Sequence, residues 1–483
     1  MARRTDALAR LRLVTHRTGV FARFVYDYPI DARILRGMVR MANIVVVGGG
    51  LAGLSTAGLL AARGHRVTLL EKMEDVGGRA LTQERDGFRL NFGAHAVYAR
   101  DRSALRSVLE RLGVAPDFVV PDMDQVRYIT PAGKETGPPV SVRRLMQGGL
   151  LPKVCDKGQF ARAVFQMAVL RPGMDFGESM EEWMGRKGFS RASRELLLHM
   201  VATNFFTGRP QDVSLATVVR YYRRVLRTRY PVSYIRGGWG RLVDLLRARV
   251  EQLGVRILTK TGGTGLEFDG QVLQAVRSRA ERFAADAFVL CIPPSALLRL
   301  AKGSALAPEV MRYAEEPPSM ALVYDVALRR RVGRGLSYVN DMERRVFITD
   351  PSAYDPSCAP PGGQLLQAIA YAPPGEADDE AALARRRTEV EALYDAHFPG
   401  WRDELVFSRV IDQAQVQAIG WGRAQRRLPL HVREFPNVFF AGDWCAADGS
   451  VSDVAFHSAL QAAALVGPAA SSGALAGQSD RAE

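Results

Sequence analysis

Cysteine is scarce in this chain of 483 residues: Cys155, Cys291, Cys358 and Cys445 are the complete set. No two form a CxxC pair, so neither a cysteine–zinc site nor a disulfide framework is expected, and a reducing compartment suits the composition. The seven histidines are equally scattered and no HExxH occurs, which argues against a metal enzyme. No run of about 18 apolar residues exists from which a membrane-spanning helix could form. Lysine is almost missing. Of 65 basic residues seven are Lys and the other 58 are Arg, so the net charge of +14 reads as compositional bias more than as a phosphate-binding design. No basic run is interleaved with aromatics, and a nucleic-acid platform is not expected. The charge leaves an anionic membrane surface open as a partner.

Residues 1–40 carry nine Arg against three Asp. An Arg-rich, acid-poor leader can be a targeting segment. The preferred reading is a basic extension ahead of a start at Met41, because no small-residue cleavage site follows an apolar stretch. At the other end, residues 468–483 are small and polar, and disorder is expected there.

Between these ends the sequence reads as α/β. Asn43–Val47 is β-branched and apolar, the pattern of a strand buried on both faces. Glycines follow, then an Ala/Leu-rich helix over 51–63, then a second buried strand over 67–70 that ends at Glu71. This is a βαβ unit. Residues 126–241 are expected to be mainly helical. Strand-like pieces return over 249–277, with further buried strands at 288–292 and 437–441 and a helix over 454–466. A Pro/Gly/Asp/Glu-rich loop is expected near 351–380.

Three clusters carry chemistry. The first is Gly48-Gly49-Gly50-Leu51-Ala52-Gly53, a G-x-G-x-x-G set between strand and helix. Its glycines suit a tight turn, close approach of a pyrophosphate, and close helix–strand packing; the helix N-terminus adds N–H donors. Glu71 stands 21 residues beyond Gly50, where a carboxylate accepts from ribose hydroxyls and repels a 2′-phosphate. The second is Gly77-Gly78-Arg79, with Asp86-Gly87-Phe88 and Phe92-Gly93-Ala94-His95. Here the backbone can pass close to a cofactor and Arg79 can neutralise pyrophosphate charge. The third is Phe440-Ala441-Gly442-Asp443-Trp444 followed by Val454-Ala455-Phe456-His457-Ser458.

With GGGLAGLS, LLEK, VGGRA and DGFRLNFGAH in place, the sequence resembles the flavoprotein superfamily of flavin-containing amine oxidases, phytoene desaturases and protoporphyrinogen oxidases, with the desaturases as nearest guess. The resemblance implies an FAD-dependent oxidoreductase. Its expected architecture is a two-dinucleotide-binding-type FAD domain, Rossmann-like with a central parallel sheet, over 41–125, 242–304 and 406–467. A substrate domain of mixed sheet and helices is interleaved over 126–241 and 305–405. By resemblance Gly48, Gly50, Leu51, Ala52, Gly53, Glu71, Lys72, Gly78 and Arg79 bind the cofactor. Gly93, Ala94 and His95 lie near its isoalloxazine ring, Gly263 touches adenine, and Gly442 and Asp443 bond hydroxyl or phosphate groups. Val454 and Ala455 meet the ring at a helix N-terminus. Ala459 stands where the family usually has Gly. No metal is implied.

No catalytic side chain is evident beyond the flavin itself. His95 is a candidate, weighed against a histidine that merely shapes the pocket. Cys445 could tether the flavin or be an inert buried thiol. The expected substrate is apolar and isoprenoid-like, with oxygen or a quinone as electron acceptor and the protein cytoplasmic or peripheral on a membrane. Alternatives are an amine or protoporphyrinogen oxidase, a flavin isomerase or mutase without net redox change, and a prenyl-binding module without catalysis.

Overall fold

The computed structural model describes residues 41–92, 95–139, 141–169, 178–314, 317–372, 375–376, 379–418 and 427–466. The basic extension and the polar tail lie outside them. The described residues gather into one compact unit.

Its first layer is a five-stranded parallel sheet. Strand β1 (Asn43–Val47) leads through the glycine turn into helix α1 (Leu51–Ala61) and back along β2 (Arg66–Leu70). Helix α2 (Gly238–Gln252) then enters β3 (Arg256–Leu258), and the sheet is completed by β4 (Ala287–Leu290) and β5 (Val438–Phe440) before the final helix α3 (Ser452–Leu465). The spatial order is β3-β2-β1-β4-β5, with Val47 opposite Leu70 on one side and Leu290 on the other. The direction of winding reverses between β1 and β4, so a crevice opens beyond the carboxyl end of β1. The strands are apolar throughout because both faces are covered. On one face Leu54, Leu60, Leu246 and Phe456 from the three helices pack against Ile44 and Val46. On the other, the antiparallel meander Gly265–Asp269, Val272–Arg277, Arg282–Ala284 packs Leu273 and Val276 against Val45 and Phe288.

A second, mixed sheet has seven strands in the order Leu405–Gln417, Ser319–Leu328, Gln364–Ala372, Val346–Thr349, Tyr338–Asp341, Val126–Ile129, Glu135–Thr136. Its neighbours run antiparallel except Tyr338–Asp341 beside Val126–Ile129. The even-numbered side chains of Ser319–Leu328 (Leu322, Tyr324, Val326) bury against the helix Glu380–His397, where the Tyr394 hydroxyl donates to the Tyr324 carbonyl at 2.7 Å. The odd-numbered side chains face the glycine turn's side of the molecule.

Two expectations need correction. The stretch 351–380 is not one loop: Gln364–Ala372 is a buried inner strand, paired on both sides. Its apolar run QLLQAIAYA is hidden between Pro-Gly-Gly and Pro-Pro-Gly, which dominate a windowed reading. Among its described residues the stretch 126–241 holds five complete helices, yet it begins with two strands of the mixed sheet and has another strand, Val232–Ile235, just before α2. Those strands are two to four residues long, too short for a period-2 pattern to register. Smaller shifts occur at element ends: α1 stops at Ala61 and α3 begins at Ser452.

Candidate functional site: a nucleotide cradle opening into an aromatic cleft

The glycine turn has almost no room for side chains. Gly48 has φ of +104°, and a Cβ there would stand 2.7 Å from the Cys291 carbonyl oxygen. At Gly53 a Cβ would fall 1.8 Å from the Gly48 carbonyl oxygen, so α1 can approach β1 this closely only with glycine. At Gly50, in contrast, a Cβ meets nothing within 4 Å, and at Gly78 (φ +56°) it meets only the Gly50 Cα at 3.4 Å. The backbone is thus bare on the side facing the crevice. Gly50 caps α1 without any side-chain bond, which leaves the N–H groups of Leu51 and Ala52 directed at that crevice.

Glu71 is buried behind the turn. Its carboxylate accepts from the Gly49 N–H at 2.7 Å and the Met73 N–H at 2.8 Å. Lys72 and Met73 run beside residues 260–263: the Thr261 N–H donates to the Glu71 carbonyl, and a Cβ on Gly262 would sit 3.1 Å from that of Lys72. Gly263 is therefore on the Glu71 side of the crevice, packed against Leu300 and Val276.

At the far end of the turn, Arg79 reaches across 364 residues of sequence to Asp443, with Nη2 to Oδ1 at 2.6 Å, and also donates to the Val416 carbonyl at 2.9 Å. Asp443 accepts from the Ala418 N–H at 3.0 Å as well. Burial alone would push this carboxyl up, but the Arg79 guanidinium, the Ala418 N–H and Arg427 together hold it below the ordinary carboxylate range. Gly442 presents its N–H to the Ser458 hydroxyl on α3, which ties the AGD turn to that helix. Val454 and Ala455 are buried in the first turn of α3, whose N-terminus lacks a side-chain cap. Its preceding residue, Val451, has φ of +50°, a conformation a β-branched residue adopts only under constraint.

A family model described as "Flavin containing amine oxidoreductase" matches residues 51–467. The chain belongs to this family. It is an FAD-dependent oxidoreductase. Among relatives, it is 40% identical over 97 residues to an L-amino-acid oxidase of Pseudechis australis, 19% of either chain. It is 32% identical over 162 residues to a 4,4'-diapophytoene desaturase of Staphylococcus haemolyticus, 30% of this chain and 32% of that one. Each match takes in less than a third of the relative's own length. An oxidoreductase structure from Methanosarcina mazei covers 87% of this chain and 99% of its own at a TM-score of 0.71 and 17% identity, a likeness of fold.

The cradle fits the family's FAD. It offers a backbone without side chains where a pyrophosphate would pass, a buried carboxylate behind it, and an Arg–Asp pair where the path turns towards α3. Gly93 and Ala94 lie outside the described residues. His95, next to them, is buried, its ring 5.5 Å from that of Tyr234. The Cys445 thiol is buried and burial pushes it well up, and the Cys291 thiol is raised to about 12 by the same cause. Burial thus disfavours the thiolate form of both.

Several residues that build the site have no motif. The Asn91 carbonyl, one residue before the Phe92–His95 loop, accepts from Arg409 at 2.8 Å and Gln367 at 3.2 Å. Both donors also hold the fully buried Asp325, whose Oδ2 takes the Arg409 Nε at 2.7 Å. Burial pushes the Asp325 carboxyl up, to about 6, against the pull of Arg409. The Asn91 side chain meanwhile accepts from the Trp239 N–H at 3.1 Å, at the start of α2. One residue thus joins the loop, the mixed sheet and the parallel-sheet layer. A polar residue on a strand gives no such signal in the sequence.

Past this clamp the same sheet face becomes apolar. Ala321, Val323, Ile369, Tyr371 and Val416 pack with Phe206 and, at the margin, Tyr98 and Val451. Tyrosines from distant segments crowd here: Tyr221 lies 5.8 Å from Tyr98 and 5.1 Å from Tyr222, and Tyr234 lies 4.4 Å from Tyr354. Burial raises all of these phenols well beyond their usual range, so they remain neutral.

Proposed function

We propose that the chain binds FAD along Gly48–Gly53, Glu71, Lys72, Gly78, Arg79, Gly263 and Asp443, with its ring end between His95 and the start of α3 at Val454–Ala455. Bound there, FAD supplies a hydride acceptor. The protein's part is to orient a substrate C–H bond against that acceptor, exclude water, and meet the negative charge that gathers at the ring with the N–H groups of the first turn of α3.

The substrate we propose is an apolar, isoprenoid-like molecule that loses hydrogen. One observation supports this reading: Ala321, Val323, Ile369, Tyr371 and Val416 form a contiguous buried apolar cluster with Phe206 on the sheet face past the clamp. Asp325, on the same face, is sealed beneath Arg409 and Gln367. An apolar chain would bury its surface against such side chains at about 25 cal/mol per Å², whereas an ammonium would be desolvated there at a cost.

The amine or porphyrinogen oxidase reading is favoured instead by the tyrosine cluster, since phenol rings suit the stacking of a flat ring or the solvation of a neutral amine. Anaerobic mixing separates the two. Bleaching of the flavin bands by a carotenoid precursor, but not by amines or a porphyrinogen, is the expected outcome. Bleaching only by an amine or a porphyrinogen would overturn the substrate reading and leave the cofactor reading intact. Oxygen or a quinone is proposed as the electron acceptor, and re-oxidation with each in turn would distinguish them. Among the described residues no helix is long and apolar enough to cross a membrane.

A further inference from the structure

A cavity of about 410 Å³ lies beside the entrance to α3 and shares Arg427 with the surroundings of Asp443. Six guanidiniums line it, those of Arg102, Arg220, Arg223, Arg224, Arg227 and Arg427, together with a single carboxylate, Asp448. Guanidiniums stay charged at any pH the protein meets, and their planar forks match the geometry of carboxylate and phosphate oxygens. Three carboxylates answer part of this charge: Arg220 lies 3.3 Å from Asp448, Arg224 pairs with Asp453 in the first turn of α3, and the Asp443 carboxyl acts on Arg427. Arg102 and Arg227 are held differently. The Arg102 Nε donates to the Arg227 carbonyl at 2.8 Å, and the Arg227 Nη2 donates to the Ala168 carbonyl at 3.3 Å. Backbone carbonyls fix the two heads in place without neutralising them. Like charges gathered around one cavity repel, and an oxyanion among them would relieve that repulsion.

The cavity also adjoins the tyrosine cluster. Tyr221, in its wall, packs on Tyr98 and Phe205 at the margin of the aromatic cluster. Arg427 donates to the carbonyl of Asp443, the residue that holds Arg79. Gly449 and Asp448 belong to the loop that turns into α3.

We propose that this arginine-lined cavity is a binding site for an oxyanion group, carboxylate or phosphate, which anchors the polar end of a substrate whose apolar body lies in the cleft. The site rests on the proposal that the flavin ring lies at the start of α3. It makes the substrate an amphiphile, and the anion itself comes either from a soluble molecule or from a lipid headgroup.

Inorganic pyrophosphate serves as the probe, titrated calorimetrically into the FAD-loaded full chain, whose own pyrophosphate site is then filled. Saturable binding that weakens with salt is expected, reduced at least tenfold in the double variant R102Q/R227Q. The variant R102K/R227K, which keeps the charge, should retain most of it, and R385Q/R386Q, on a remote surface, should leave it unchanged. Retained flavin colour and melting temperature show that each variant is folded. Sedimentation with phosphatidylglycerol vesicles tells the sources apart. Vesicle binding lost in R102Q/R227Q assigns the site to a lipid headgroup, and pyrophosphate binding without vesicle binding assigns it to a soluble anion. The proposal is overturned if neither ligand responds to R102Q/R227Q, or if R385Q/R386Q weakens binding equally. A colourless preparation would instead contradict the flavin reading, so the two failures are distinct.

Discussion

At the cradle the protein works by removing side chains; at the cleft wall it works by massing them. Gly48 and Gly53 have carbonyl oxygens within 2.7 Å and 1.8 Å of where a Cβ would stand, and Gly50 and Gly78 leave the crevice side bare. The wall, by contrast, is filled with tyrosines and aliphatic residues brought from segments more than 200 positions apart, from Tyr98 to Val416. Such a cradle offers backbone N–H groups and, at Gly48 and Gly53, has no room for an added side chain. A wall of packed rings recognises shape, and it can be retuned by exchanges that conserve volume. On the proposed reading, the cofactor's place is set by close backbone geometry and the substrate's by packed side chains that volume-conserving exchanges can alter.

If that contrast holds, mutations in the two regions should differ in size, and the ranking can be checked. The largest effect is expected from Gly53→Val. Its side chain cannot be placed without moving the Gly48 carbonyl, so FAD should be lost together with about 3 kcal/mol or more of stability. Absorbance after gel filtration with excess FAD measures the first, chemical denaturation the second.

Next comes the clamp between the regions. Arg409→Met strands the buried Asp325 carboxylate and should cost about 3–5 kcal/mol in the denaturation midpoint, with D325L/R409M recovering much of the loss. A smaller effect for the single variant than for the double would refute the clamp.

His199 follows. Burial lowers its imidazole to about 4, with Asp341 opposing and Arg345 adding to the shift, so it stays neutral in the fold while the unfolded chain takes a proton near 6.5. Between those values the unfolded state binds more protons. Stability present above pH 6.5 is therefore lost as pH falls towards 4, by about 3 kcal/mol at most. His199→Phe should flatten that slope in thermal melts from pH 7 to pH 4.

The smallest effect is expected at the wall. Tyr371 is buried and its hydroxyl makes no hydrogen bond among the described residues, so Tyr371→Phe should change stability by less than about 1 kcal/mol. It should alter substrate affinity before it alters FAD binding.

The same contrast explains what could be read beforehand. Gly48, Gly50, Gly53, Glu71, Gly78, Arg79 and Asp443 each do a job that only one or two residue types can do, so their spacing carries the meaning. The parallel strands were legible because burial on both faces leaves an unbroken apolar run. Asn91, Gln367, Asp325 and Arg409 gave no warning, since any strand carries such residues and their partnership exists only after Ser319–Leu328, Gln364–Ala372 and Leu405–Gln417 have paired. The arginine cavity was equally hidden. In a chain with 58 Arg a further cluster at 220–229 is unremarkable until Arg102 and Arg427 fold against it.

The visible spectrum of the purified full chain, taken after incubation with FAD and removal of the excess, tests the central claim most directly. The expected result is one flavin per chain, with absorption bands in the near-ultraviolet and the blue, and their loss in Gly53→Val. A folded, colourless protein that takes up no FAD would contradict it.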